Sequence, residues 1–88
     1  MTHHLKTWPG EWEAVARGDK RHEVRKADRG FQVGDSLILR EFIPTGEMTL
    51  EGESLGAYTG RDLLRKISYI TPGGAWGLPA ALCVLSIA

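Results

Sequence analysis

Only one stretch of this chain carries a helical repeat. Trp8, Trp12, Val15 and Ala16 follow i, i+4, i+7 spacing, with Pro9 near the first helical position. Glu11 and Glu13 fall early and Arg17 late, which suits the helix dipole, and Gly18 is placed to stop the segment as a left-handed cap. The spacing predicts one helix at Pro9–Arg17. Elsewhere apolar residues recur in short runs bounded by Gly, Pro and Asp. These runs predict strands at about Ser36–Ile43, Leu63–Thr71 and Ala80–Ile87; a short first strand is read around Leu5 and a charged one at about Lys20–Lys26. Leu37, Ile38, Leu39, Phe42 and Ile43 make the third strand apolar on both faces, so it is read as central. Pro44–Ala57 carries Glu47, Glu51 and Glu53, no basic residue and few apolar anchors; it is read as a long loop with room for a small hairpin. One early helix followed by strands cannot build a βαβ array. The expected class is α+β, mainly β: a curved sheet of five or six strands closing toward a small β-barrel that hides its edges.

No charged residue follows Lys66. Pro72, Gly73, Gly74, Gly77 and Pro79 interrupt that stretch, so it reads as two buried strands and a glycine-rich turn rather than a membrane helix. Leu82, Val84 and Leu85 are expected in the core. Cys83, the single cysteine, excludes an internal disulfide and a cysteine-rich zinc site, and its apolar neighbours make it a buried small hydrophobe. The N-terminus has no apolar signal core, so the expected location is cytoplasmic, with no membrane partner. At 88 residues the chain is a single domain, 1–88. Its 11 Lys and Arg balance 11 Asp and Glu, leaving no global basic field. That argues against duplex DNA, whose capture needs many phosphate contacts, and toward a small ligand or a single strand.

Six of the thirteen residues from Arg17 to Arg29 are Arg or Lys. In an extended strand Arg21, Glu23 and Arg25 share one face, and Lys20, His22, Val24 and Lys26 the other. A carboxylate held between guanidiniums can be buried without an unpaired charge. Such a strand is either a solvated ion-pair edge or a polar constellation at the mouth of the sheet, suited to an anionic or amide-rich ligand.

Several strings together give the chain a family likeness. His4-Leu5-Lys6, Pro9, Trp12 and Gly18-x-Lys20-x-x-Glu23-x-Arg25 come first. Asp28-Arg29-x-Phe31-x-Val33-Gly34-Asp35-x-Leu37-x-Leu39-x-Glu41, Tyr58-Thr59-Gly60-Arg61, and Gly77-Leu78 with Cys83-Val84-Leu85 follow. The chain resembles the ASCH domains of the PUA-like superfamily, in their short bacterial and phage branch. The resemblance implies a β-barrel with an RNA-binding cleft between the helix and the G-x-K-x-x-E-x-R strand. In a sister branch of small N4-acetylcytidine amidohydrolases, a lysine, a threonine three residues later and a distant glutamate carry the chemistry. Lys20 matches that lysine, and Glu23 stands where the threonine would be. Some relatives are reported to cleave RNA with a divalent metal, for which Glu23, Glu41 or Asp35 offers oxygen ligands.

The expected function is binding of RNA or a modified nucleotide. The alternative is a small hydrolase on a modified nucleoside, with Lys20 and Glu23 catalytic, or a metal-dependent ribonuclease. The expected binding residues are Lys20, Glu23, Arg25, Arg61, Tyr58, Lys6, His4 and Trp76. Lys20, Arg25 and Arg61 supply charge, Glu23 orients, and Tyr58 or Trp76 stacks on a base. Tyr58-Thr59-Gly60-Arg61 equally fits a turn or bulge entering a strand. Trp12 is read as core, His3 as surface, and Val33-Gly34-Asp35 as a structural turn. No cofactor is expected. Besides RNA or a modified nucleotide, a host protein is the other candidate partner.

Overall fold

A computed structural model describes the whole chain, residues 1–88. In chain order the elements are β1 (Thr2–Thr7), α1 (Pro9–Ala16), β2 (His22–Lys26), β3 (Ser36–Met48), β4 (Ser54–Thr71) and β5 (Leu82–Ile87). The result is a mainly β domain: one helix and one five-stranded sheet ordered β1-β3-β4-β5-β2. β1 pairs parallel with β3, setting Leu5 against Leu39; every other pairing is antiparallel.

β4 is long because it serves two partners. Its first part lies along β3, and from Ile67 onward it lies along β5, with a register break between Ile67 and Tyr69 at the changeover. β3 is paired on both sides, yet the middle strand is β4. Leu5, Leu37, Leu39, Ile67 and Leu85 are fully buried, and Trp12 and Val15 of α1 close over them. The Trp12 indole N–H donates to the Leu39 carbonyl at 3.0 Å. The rest of the expected helical stripe is not buried: Trp8 and Ala16 lie on the surface.

Three expectations need correction. The segment Pro44–Ala57 is not a long loop: β3 runs to Met48, β4 begins at Ser54, and the two form an arm with Ile43 opposite Ala57 and Pro44 opposite Gly56. Both faces of the arm meet solvent, so no apolar alternation marks it. On β5 the core face carries Cys83, Leu85 and Ile87, while Leu82 and Val84 are only half-buried. Side chains alternate along a strand, so Val84 and Leu85 cannot share one face. His3 is buried, not on the surface, because it shares the inward parity of Leu5 and Thr7. Its Nε2 lies 2.8 Å from Asp35 Oδ2, and its ring meets Phe31 edge-on at 4.7 Å. The Val33–Asp35 turn is thus held by Asp35, whose carboxylate also accepts from the Gln32 N–H at 3.0 Å.

The outer strands β1 and β2 run antiparallel to each other across the remaining gap, as the successive pairings require. No backbone ladder joins them. Two guanidiniums span the gap instead: Arg25 Nη1 donates to the Lys6 carbonyl at 3.0 Å, and Arg29 Nη1 to the His4 carbonyl at 2.7 Å.

Candidate functional site

The turn after α1 places the first site residue. Gly18 takes φ +83°, a left-handed conformation that glycine adopts without a Cβ penalty, and its N–H returns to the Val15 carbonyl. The N–H groups of Asp19 and Lys20 both return to the Ala14 carbonyl at 3.0 Å. Lys20 is thereby held before β2 begins, freed from strand parity and folded back along the helix. Its Nζ donates to Glu11 Oε2 of α1 at 2.6 Å and to Glu23 Oε1 of β2 at 3.2 Å.

Glu23 is 2 % exposed. Its Oε2 accepts from Arg25 Nε at 3.0 Å and Arg25 Nη2 at 2.9 Å, while Oε1 takes the Lys20 bond. Arg25 Nη2 also reaches the buried Thr7 hydroxyl at 3.3 Å. A carboxylate with both oxygens engaged is a scaffold for two cations, and its burial is offset by those bonds. An ammonium has three N–H donors and a guanidinium five. Glu11 and Glu23 use two of those on Lys20, and Arg25 directs four toward Glu23, Thr7 and the Lys6 carbonyl. Each cation keeps one donor for something else.

These groups form the floor of an open cleft of about 570 Å³, whose walls include Lys6, Trp8, His22 and Val24. Trp8 is 41 % exposed and stacks on Phe42 with ring centroids 5.7 Å apart. Lys6 Nζ sits 4.2 Å from the Phe42 ring centroid and makes no hydrogen bond, so all its donors are available. Lys20 holds the Glu11 carboxyl below its ordinary range, by its hydrogen bond first and its charge second.

Of the expected binding residues, Lys6, Lys20, Glu23 and Arg25 meet in this cleft, and the other four lie outside it. Arg61 was expected to converge with Lys20 and does not. It lies over the Trp12 ring at 4.0 Å and pairs with Glu13 and Glu41. Positions 11 and 13 are about 200° apart around a helix, so an arginine held by Glu13 is kept away from the Glu11 side. The string Tyr58–Arg61 forms a β-bulge: pairing slips between Arg40 and Phe42, and Gly60 takes φ +91°. Thr59 ties the bulge to the buried Glu41, donating to Oε1 at 2.8 Å. Tyr58 packs edge-on against Phe42 at 5.1 Å, with the Arg40 guanidinium over its ring. The His4 side chain is exposed. Trp76, on the turn between β4 and β5, is 97 % exposed and lines no part of the cleft. Glu23, Glu41 and Asp35 belong to three separate hydrogen-bond sets, and no three His, Cys, Asp or Glu side chains gather as a metal site.

The sequence reading missed Glu11, Trp8 and Thr7 as site residues. Glu11 follows Pro9 on the first helical turn, and the return of the chain at Gly18 puts Lys20 beside it. That contact depends on the turn rather than on any local motif.

Residues 2–87 match the family described as Domain of unknown function (DUF3850). The chain belongs to the DUF3850 family. This DUF3850 domain is also similar to an uncharacterized 12.9 kDa protein in the GpA 3′ region of Escherichia phage P2, 32 % identical over 74 residues. The match takes in 84 % of this chain and 58 % of the phage protein, so the chain spans less than two thirds of that relative's length. No helix is long and apolar enough to cross a membrane.

Proposed function

We propose that this DUF3850 domain binds RNA or a modified nucleotide in the cleft between α1 and β2, on a PUA-like, ASCH-type barrel. The observation that carries the reading is the Glu23 floor. A buried carboxylate holds Lys20 and Arg25 side by side, each with one N–H unspent, beneath an exposed indole. A base against Trp8 would present its polar edge to those donors, while Lys6 takes the phosphate. The volume lies within the range of small-ligand sites. The barrel reading is supported by the antiparallel course of β1 and β2 and by the guanidiniums spanning them.

The hydrolase reading draws on the adjacency of Lys20 and Glu23 at 3.2 Å. It requires Glu23 to take up a proton, whereas both its oxygens already accept from cations, so binding is favoured over turnover. The test is NMR shift perturbation with the four ribonucleoside monophosphates and N4-acetylcytidine. Perturbed amides should cluster at Lys6, Trp8, Lys20 and Glu23–Arg25, and Lys20→Ala should weaken binding. Shifts scattered elsewhere, or an unaffected Lys20→Ala, reject the cleft; product formed from N4-acetylcytidine and lost in Glu23→Gln favours the hydrolase.

A further inference from the structure

The cleft does not end at Arg25. A second cavity of about 360 Å³ shares Val24 and Arg25 with it and continues along the gap between β1 and β2. The second lobe is bordered by Lys26, Asp28, Arg29 and Phe31, with Leu5 and Leu82 among its apolar lining. The two cavities meet at Val24 and at Arg25, whose guanidinium spans the gap between them, and together they outline a groove along β1 from the Thr7 end to the His4 end. Its borders carry five Lys and Arg (Lys6, Lys20, Arg25, Lys26 and Arg29) against three carboxylates. The groove is therefore net positive in a chain of zero formal charge.

Resting on the nucleotide reading of the first lobe, we propose that the ligand of this groove is a single-stranded nucleic acid of several nucleotides, lying along the β1–β2 gap, and not one isolated nucleotide. A backbone of regularly spaced phosphates suits cations distributed along a line. A free nucleotide has use for only one end of that line. An extended peptide is the competing occupant of a gap between two edge strands, since unpaired edges accept added strands. Here the carbonyls of His4 and Lys6, which an added strand would need, already accept from Arg29 and Arg25. The same guanidiniums keep further N–H donors for phosphate oxygens. Lys26 is exposed and makes no ion pair or hydrogen bond, so its charge is free for a ligand.

The deciding measurement is fluorescence anisotropy over a range of salt, using labelled mixed-sequence RNA of one, two, three and six nucleotides. Affinity should climb with length up to the capacity of the groove. The gain from one nucleotide to six should shrink by about tenfold in Lys26→Ala and in Arg29→Ala, the equivalent of one charge-assisted hydrogen bond. The salt slope for the hexanucleotide should fall by about 0.7 in each, the single-strand value for one phosphate contact. Arg29 also caps the His4 carbonyl, so Lys26→Ala, which breaks no internal bond, is the cleaner arm. No gain with length, or a gain that both variants leave intact, overturns the strand proposal while a mononucleotide bound in the first lobe keeps the nucleotide reading standing. An extended acidic peptide that binds at Lys26 and Arg29 where the hexanucleotide does not overturns it in favour of a protein partner. Absence of binding by any of the RNAs removes both readings together.

Discussion

Arg25 donates to Glu23 through Nε and Nη2, both on the same oxygen, while its Nη1 reaches across to the Lys6 carbonyl of β1. One side chain thus neutralises a buried carboxylate and joins two edge strands that share no backbone ladder. Removing it leaves Glu23 with Lys20 alone and the Lys6 carbonyl without its donor.

Arg25→Met should accordingly cost about 2 kcal/mol of stability, less than a fully buried pair because Arg25 is partly exposed and Lys20 remains. Glu23→Gln added to Arg25→Met should recover part of that loss, a coupling of about 1 kcal/mol or more. Urea unfolding of the wild type, both single variants and the double variant measures it. Strict additivity would mean the two side chains do not depend on each other.

What the sequence revealed of this site was its local part. The spacing from Lys20 to Glu23 and Arg25 lies within one turn and one strand, and those three side chains meet. Arg61 sits on β4; the bulge at Gly60 is legible in the Tyr58–Arg61 string, but which helical face offers Glu13 to the guanidinium depends on how α1 packs and cannot be read from a motif. The fold divides likewise. The helix and the strand runs that bury apolar residues were legible, while the arm beyond Ile43 was hidden because it buries neither face. His3 was a missed inference of a different kind. Once Leu5 is taken as core, parity alone turns His3 inward.

Asp35 gives a pH dependence with a definite sign. The His3 hydrogen bond first, then the Gln32 N–H and the Met1 amino group, lower its pKa to about 2 from an ordinary 3.8, against the opposing effect of burial. A carboxyl whose folded pKa lies below its unfolded value stabilises the fold above the unfolded value. That contribution is lost as pH falls through the folded value. Tm should therefore drop between about pH 4 and pH 2, with a shallower drop in Asp35→Asn over that window. Identical pH profiles for the two proteins would show that Asp35 carries no such contribution.

Strand β5 tests the inward parity directly. Leu85 is fully buried and Val84 half-buried beside Val24. Leu85→Ala should cost about 3 kcal/mol, through lost transfer energy and the cavity left behind, and Val84→Ala about 1 kcal/mol or less. Chemical denaturation of the two variants decides the parity, and a reversed order would place Val84 inside.

The arm rests on a close approach at Gly56. A Cβ there would run into the Ile43 carbonyl oxygen and lie 2.8 Å from Pro44 Cα. Gly56→Ala should open the arm while the core stays folded, since the arm buries so little. Amide exchange over residues 43–48 and 54–57 should accelerate about tenfold, with protection at Leu37, Leu39 and Leu85 retained. Unchanged exchange in the arm would mean that the approach of Gly56 to Pro44 does not hold the arm closed.

Glu11 is the exposed partner of Lys20. Its carboxylate occupies a donor that a ligand in the cleft would use, and it stands as a negative charge beside the position proposed for a phosphate-bearing ligand. The Lys20 bond lowers the Glu11 pKa, so at neutral pH that charge stays in place. Replacing it by a neutral amide of similar shape weakens its hold on Lys20 and removes the repulsion. Glu11→Gln should therefore raise nucleotide affinity about two- to fivefold at pH 7, the scale of one exposed ion pair. Lowering the pH should bring the wild type toward the variant only below the ordinary carboxylate range, because the folded pKa is depressed. Calorimetric titration with a ribonucleoside monophosphate at two pH values provides the comparison. A loss of affinity in Glu11→Gln would reverse the assignment: Glu11 would then be reading an amino group on the bound base rather than masking Lys20.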